Sequence, residues 1–250
     1  MSKTMEAKGG YDFIPGVSQY SAGVAARAGM RLERVRFSRP VPLREGFTRI
    51  ERFITEQGRP LTSFCACELR SPAPFTESGF KAFNEVYTGV LSSWGVLDGG
   101  LNPVSRANVC PEIDPPAEPS FHAFTFTTIA EGAPPSFVIA GSGEAPEGKG
   151  NYADHIIRRG DVTEDGLREK ARWVLAEMER RMAAFSATWK QTTATQLYTV
   201  HNIYPFLADE LVRRGAAHSG LTWHFNRPPV RELEYEMDCR AVHVEHVIEV

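Results

Sequence analysis

The stretch LREGFTRIERFITEQGRPLTSFCACEL, residues 43–69, has a degenerate counterpart at residues 167–200, LREKARWVLAEMERRMAAFSATWKQTTATQLYTV. Both stretches open with Leu-Arg-Glu and continue with apolar residues at helical spacing, which predicts one amphipathic helix in each. These apolar positions are Leu43, Phe47, Ile50 and Ile54, and then Leu167, Ala171, Val174, Met178, Met182 and Phe185. Gly58 is placed to end the first helix. The β-branched and aromatic residues that follow each helix predict a strand.

The similarity between the two segments extends further along the chain. A second helix is predicted over residues 80–94, and its counterpart begins near Pro205, a residue suited to the first turn of a helix. Two more strands follow in each half, and further strand segments precede each first helix. The sequence therefore predicts the order strands, helix, strand, helix, strand, strand, repeated twice.

This order predicts an α+β protein of two tandem domains, each a mixed β-sheet with two helices on one face. The segment EGAPP, residues 131–135, has linker chemistry and places the boundary between residues 1–131 and 132–250. Strands such as HAFTFTT, residues 122–128, carry apolar residues on both sides. The face without helices must therefore also be covered, by another copy of the unit in the same chain or in a neighbouring subunit.

Composition and charge limit the classes of function. The chain has 250 residues, 42% of them hydrophobic, and a formal net charge of -3, so it has no general attraction for nucleic acids or anionic membranes. The first residues contain no apolar run of the length that a secretory signal requires, which predicts a cytoplasmic protein. Four cysteines in a chain of this length do not form a disulfide framework.

Several short motifs resemble one enzyme superfamily. The segment FKAFNEVYTGVLSSWG, residues 80–95, followed by SRANVCPEI, residues 105–113, is similar to the second half of the RidA (YjgF-type) enamine/imine deaminases. FVIAGSGEAP, residues 137–146, resembles a strand end of that family, and ELEYEMDCRAV, residues 232–242, resembles its closing acidic strand. GLTWHFNRPPVRELEYEMD, residues 220–238, resembles a tandem subgroup, the 2-amino-5-chloromuconate deaminases.

The resemblance implies a hydrolytic deaminase that acts on an enamine or imine carboxylic acid, of which 2-aminomuconate or its 5-chloro derivative is one candidate, and releases ammonia. It also implies a homotrimer or hexamer whose active sites lie at subunit interfaces, with a small carboxylate as ligand and neither a cofactor nor a metal. Because one fold serves many functions, a chorismate-mutase-like or other lyase stays open, as does a small-carboxylate-binding regulatory protein without catalysis.

The same resemblance carries the family's carboxylate-binding arginine onto Arg106. Asn108 follows two residues later on the same strand face. In the second half the family's strand end is matched by Ser142 and Gly143, whereas no arginine stands at the position equivalent to Arg106. We therefore expect a composite pocket in which the two halves contribute different groups. A guanidinium suits this role because its planar donors bind both carboxylate oxygens.

The resemblance also matches the family's acidic residue to Glu236, or alternatively to Glu234, and Glu236 or His122 is then the candidate for proton transfer. His224 is a candidate for substrate binding. A second carboxylate of a muconate would be bound by Arg39 or Arg36. Each histidine fits equally a core residue satisfied by one hydrogen bond.

Two further patterns permit other readings. Cys65 and Cys67 alternate along a strand and are expected on one side of it, but this spacing alone is weak evidence for a metal site. The glycines of GSGEAPEG, residues 141–148, lack the spacing of a dinucleotide-binding loop and are interpreted as a strand end.

Overall fold

The computed structural model describes residues 4–97, 99–149 and 153–250. The helices are α1 (Leu43–Glu56), α2 (Glu77–Ser93), α3 (Glu164–Ala184) and the short α4 (Tyr204–Phe206), which continues into a π-helix, Leu207–Val212. The strands of the first half are β1 (Met5–Ala7), β2 (Tyr11–Ile14), β3 (Gly23–Ala26), β4 (Met30–Pro42), β5 (Phe64–Arg70), β6 (Ser105–Pro111) and β7 (Ser120–Ile129). Those of the second half are β8 (Phe137–Gly143), β9 (Ala194–Tyr198), β10 (Thr222–His224), β11 (Asn226–Arg227), β12 (Glu236–Ala241) and β13 (Val244–Ile248).

These strands form two mixed sheets, which confirms the predicted α+β class. One sheet has the order β11-β6-β5-β7-β4-β13, and the other has the order β1-β2-β3-β8-β12-β9-β10. Within them the blocks β6-β5-β7-β4 and β10-β9-β12-β8 share one pattern. In each block the first two strands are parallel and the other neighbours are antiparallel. The predicted order of elements is therefore present in both halves.

Each sheet also contains strands from the other half of the sequence. Strands β1, β2 and β3 extend the sheet of the second half, and β11 and β13 extend that of the first. The last part of the chain, which we expect to form a single closing strand over residues 232–247, is instead divided between β12 and β13, which belong to different sheets. The domain boundary at residue 131 stays a prediction.

Helices cover one face of each sheet. The apolar faces of α1 and α2 pack on the six-stranded sheet, and α3 with the segment around Phe206 packs on the seven-stranded sheet. Gly58 and Gly95, just beyond α1 and α2, adopt positive φ angles of 67° and 69°, the conformation with which glycine ends helices. The predicted helix ends are confirmed.

The other faces of the two sheets meet each other within the chain. A third apolar cluster lies between them, with Tyr11, Phe13, Val24 and Leu32 among its members. A direct hydrogen bond from Gln196 to Glu68 also joins the sheets. The cover that the apolar strands require is thus supplied by the same polypeptide.

Cys65 and Cys67 do not share a side of β5, so the expectation from their spacing is wrong. The pairing of β5 with β7 shifts register between Phe64 and Ala66, which leaves Cys65 as the extra residue of a β-bulge. Cys65 consequently packs in the cluster between the sheets, whereas Cys67 faces the helices and its sulfur lies 3.3 Å from the Tyr87 hydroxyl.

Candidate active site

Arg106 lies on β6 in an enclosure of aromatic rings. Its side chain points toward α2, and its guanidinium carbon is 4.8 Å from the ring centroid of Tyr87, 5.4 Å from Phe83 and 5.6 Å from Phe80. The ring of Tyr20, which precedes β3, is 5.0 Å away. We call Arg106 and these four rings the arginine cage. Ring faces attract a guanidinium, so the cage stabilises the cation without neutralising its charge.

The guanidinium of Arg106 retains unused hydrogen-bonding capacity. Arg106 is only 3% exposed, and neither Nη1 nor Nη2 has a hydrogen-bond partner among the described residues. Burying such donors without acceptors is costly, by about 1–3 kcal/mol or more for a charged group. A bound carboxylate would supply two charged acceptors in the planar geometry that the fork requires.

Two asparagines share this side of the sheet. Asn84 lies on α2 between Phe83 and Tyr87, is 3% exposed, and has no partner for either polar atom of its amide within the described part of the chain. Asn108 accepts a 2.9 Å hydrogen bond from the Ser71 hydroxyl through Oδ1, while its Nδ2 has no such partner. Both amides can therefore bind a polar ligand beside Arg106.

The outer edge of β6 is buried but lacks a strand partner near these residues in the described part of the chain. β6 pairs with β5 along one side, from Ser105 to Val109. On its other side Ser105 bridges to Ser21, and β11 pairs only with Cys110 and Pro111. Residues 106–109 have no strand partner on that side among the described pairings, and we call this stretch the β6 edge. Unpaired backbone groups at such an edge are donors and acceptors for a ligand.

Strand β8 of the second half comes very close to the β6 edge. A side chain at Gly141 would collide with the Glu236 carboxylate and would lie 3.2 Å from the Cα of Ala107. Glycine permits this close approach, since an added Cβ would have to displace the end of the Glu236 side chain and press on Ala107. Glu236 pairs with Gly143 on β8 and with Tyr198 on β9. The carboxylate of Glu236 therefore lies beside the strand that carries Arg106.

Arg106 and Glu236 approach the β6 edge from different faces. Glu236 lies near Ala107, and side chains of successive strand residues point to opposite sides. A ligand seated along the unpaired edge would touch both groups, whereas one confined to the arginine cage would touch only Arg106. The composite pocket stays a prediction, and the unpaired edge gives it a specific location.

A polar chain connects the arginine cage to Ser142. The Tyr20 hydroxyl donates to Glu147 Oε1 over 3.1 Å, and Arg181 donates to the same oxygen over 3.0 Å. Arg181, which is almost fully buried on α3, also donates to the Ser142 hydroxyl over 3.3 Å. Ser142 therefore faces α3, and its link to the arginine cage runs through Arg181 and Glu147.

Burial controls the protonation of Glu236. Removal from water raises the pKa of this carboxyl well above its usual range, and the nearby acids Asp238, Glu144 and Glu147 raise it further. Burial and these neighbouring acids therefore favour the protonated carboxyl group, which is the form that can donate a proton.

A second set of buried polar residues lies between the two sheets. Arg34 donates to both carboxylate oxygens of Glu68, at 2.6 and 3.0 Å. The Gln196 amide joins Glu68 to Asp238, at 3.4 and 2.9 Å, and the Tyr198 hydroxyl donates to Asp238 over 2.7 Å. We call these five residues, together with Arg70, His122 and His224, the intersheet cluster.

The two predicted histidines belong to this cluster. The His224 ring stacks on Tyr198 with 5.1 Å between ring centroids, and its Nε2 lies 3.2 Å from the Gln196 side-chain oxygen. Burial, and then the positive charge of Arg70, lowers the pKa of His122 to about 3 and that of His224 to about 4. Both imidazoles are neutral at neutral pH and are electrostatically coupled to Arg70, from the first half of the chain.

These shifts predict how stability depends on pH. An unfolded histidine binds a proton below about pH 6.5, whereas the folded protein keeps His122 neutral, so the free energy of unfolding should fall as the pH drops below that value. Between pH 7 and pH 5 we expect His122 to contribute about 1–2 kcal/mol of this loss. Urea unfolding at pH 7 and pH 5 should show that the free energy of unfolding falls less in His122→Phe than in the native protein. His243→Asn, at an exposed position, is the control, and an equal loss in all three proteins would contradict the assignment.

Comparison with known proteins now adds to this geometry. Residues 3–246 match the family model for the 2-aminomuconate deaminase CnbZ. The chain belongs to the CnbZ family. A 2-amino-5-chloromuconate deaminase from Comamonas testosteroni is 49% identical over 242 residues, which cover 96% of each chain. This relationship supports the deaminase expectation over a regulatory protein without catalysis.

The CnbZ-family chain shares its fold with a chorismatase of known structure. The two superpose with a TM-score of 0.55 over 95% of this chain and 78% of the chorismatase, at 9% sequence identity. At such low identity the likeness concerns the fold alone.

Arg39 takes no part in the arginine cage or the intersheet cluster of this CnbZ-family protein. It lies between Arg36 and Val41, where the pairing of β4 with β7 is interrupted, and its side chain is exposed. The interruption turns the segment outward, so within one chain the structure gives no support to Arg39 as a substrate ligand.

Sequence reasoning missed three residues that the structure brings to these sites. Asn84 is a polar residue inside the apolar stripe of α2, and this anomaly was a usable signal. Tyr20 and Arg70 gave none, because the contacts that enclose them come from segments distant in sequence.

Proposed function

We propose that the chain is a deaminase that hydrolyses an enamine or imine of the 2-aminomuconate type and releases ammonia. The observation that carries the proposal is Arg106, a buried guanidinium with unpartnered Nη1 and Nη2 beside the unpaired β6 edge. The activities for which the family and the Comamonas relative are named support the same substrate class. Arg106 would bind the carboxylate next to the amino-bearing carbon.

The reaction then needs a proton donor and a water molecule. Glu236 would protonate the enamine carbon and so convert the C=C–NH₂ unit into an iminium ion, while its carboxylate would remain to accept a proton from water. Water adds to the iminium carbon, a proton moves to nitrogen, and the C–N bond breaks to release ammonia and leave a ketone. Asn84 and Asn108 would orient the substrate through their unused amide groups.

Finer features of the assignment are also proposals. The common order and pairing of the blocks β6-β5-β7-β4 and β10-β9-β12-β8 support two RidA-like units. A homotrimer or hexamer in the cytoplasm would fit that assignment. No helix in the described ranges is long and apolar enough to cross a membrane.

Ammonia release tests the proposal directly. Purified protein should release one equivalent of ammonia from 2-aminomuconate, measured by a coupled glutamate dehydrogenase assay, at a rate proportional to protein concentration. The substrate alone, and the substrate with heat-denatured protein, give the spontaneous rate. Tight binding of the substrate with ammonia release at only the spontaneous rate would contradict catalysis and favour a carboxylate-binding protein.

A further inference from the structure

Arg70 is a second buried arginine with unused donors. It is the last residue of β5 and is 4% exposed. Its Nη1 donates to the neighbouring carbonyl of Leu69 over 2.9 Å, and its Nη2 has no hydrogen-bond partner in the described ranges. The guanidinium is therefore folded back on its own strand, with one side of its fork unoccupied.

The neighbouring arginines differ from Arg70 because each has a carboxylate partner. Arg34 pairs with Glu68, and Arg240 pairs with Glu245 at 2.7 Å. No ion pair joins Arg70 to any acid in the described part of the chain. The ring of Tyr198 lies near Arg70, 5.6 Å from its guanidinium carbon, and the imidazoles of His122 and His224 feel its charge. Within the described residues, Arg70 is therefore a buried cation of the intersheet cluster that makes no direct ion pair, and Asp238, bonded to the Tyr198 hydroxyl, is an acid of the same cluster.

We propose that Arg70 is the binding group of a second anion site, between the two sheets, which takes a small monovalent anion, either a carboxylate or a halide. Nη2 would donate directly to this anion. His122 and His224 are only partly buried, so their side of the intersheet cluster lies nearest to solvent. The neutral imidazole of His122 can donate one N–H without adding charge, whereas the N–H of His224 is directed at the Gln196 side-chain oxygen.

The position of Arg70 suggests one source of the anion. Arg70 is in register with Val109 of the β6 edge, and it covers the ring of Tyr198, which is the strand partner of Glu236. Glu236 and Arg70 therefore both approach the pair β5 and β6 from the side that faces the other sheet. If the proposed function holds, a dicarboxylate such as a muconate would bind one carboxylate through Arg106 and the other through Arg70.

Two probes distinguish a substrate carboxylate from a free halide as the anion at Arg70. Hexa-2,4-dienedioate (muconate) and hexa-2,4-dienoate (sorbate) have the same carbon chain but differ in the second carboxylate. Calorimetry should show that the native protein binds muconate at least about tenfold more tightly than sorbate, and that Arg70→Met reduces this ratio to about threefold or less. Arg213→Met, at an exposed position, is the matched control and should keep the native ratio.

Bromide is the second probe and needs no variant. Crystals of the native protein soaked in sodium bromide should show an anomalous peak within hydrogen-bonding distance of Arg70 Nη2. A peak there, with an unchanged ratio of muconate affinity to sorbate affinity in Arg70→Met, identifies a free halide as the ligand. A reduced affinity ratio in Arg70→Met identifies the substrate carboxylate, with or without the bromide peak.

The proposal is overturned if no bromide binds near Arg70 and the ratio of muconate affinity to sorbate affinity is the same in the native protein and Arg70→Met. This result combined with normal ammonia release would leave the proposed function intact. The absence of ammonia release together with a bromide peak at Arg70 would instead reject the proposed function and keep the anion site.

Discussion

Replacing Arg106 with glutamine is expected to lower kcat/KM for 2-aminomuconate by roughly 10²–10³-fold, because a buried bidentate contact to a carboxylate contributes about 3–4 kcal/mol. Glutamine keeps a polar side chain but removes the charge and the planar fork. Most of the loss should appear in KM if the contact forms equally in the substrate complex and the transition state. Steady-state kinetics with initial rates of ammonia release measure both constants.

The stability of the same variant is its internal control. Removal of Arg106 loses its contacts with the four rings but also removes a buried cation without a carboxylate partner among the described residues, and because these effects oppose each other the Tm should stay within about 5 °C of the native value. Arg106→Lys keeps the charge without the fork and should recover only part of the activity. Native kcat/KM in Arg106→Gln would show that the substrate carboxylate binds elsewhere.

Replacing Glu236 with glutamine is expected to lower kcat by about 10²–10⁴-fold, the usual contribution of a general acid, and to leave KM nearly unchanged. Glutamine has the same shape and fits against Gly141, so the close packing of β8 on β6 is preserved. Because burial raises the pKa of Glu236, the native kcat should fall as the pH rises through that value and the acid loses its proton. The variant should lack this limb of the pH profile.

Glu234 provides the matched control for this experiment. Its carboxylate lies 2.8 Å from Nε2 of His201 and is partly exposed, whereas the Glu236 carboxylate is buried next to Gly141. Glu234→Gln should retain native kcat within about threefold, as expected for a residue that transfers no proton. A large loss in Glu234→Gln together with native activity in Glu236→Gln would reverse the assignment of the proton donor.

Local sequence patterns were sufficient to predict the elements of the fold. The spacing of Ile50 and Ile54 and the position of Gly58 define α1 because an amphipathic helix needs only its own residues to reveal its buried face. The exchange of β11 and β13 into the sheet of the first half could not be predicted, because strand pairing depends on distant partners. The bulge at Cys65 escaped prediction for the same reason.

The candidate site was predictable to a similar extent. The motif around Arg106 indicated the residue, but the face on which it lies follows from the packing of α2 against β6. Nothing in the sequence distinguishes Arg70 from an ordinary arginine at a strand end, because its burial comes from Tyr198 on the opposite sheet. His122 and His224 were indicated individually, and only the meeting of the two sheets shows that they belong to one cluster.

A crystal structure of the native protein with muconate bound is the most direct test of the central claim, that Arg106 anchors the substrate at the β6 edge. The account predicts a carboxylate within about 2.7–3.2 Å of Nη1 or Nη2 of Arg106, with the ligand lying along residues 106–109. Muconate bound at another surface, with the guanidinium of Arg106 still enclosed only by its four rings, would contradict it.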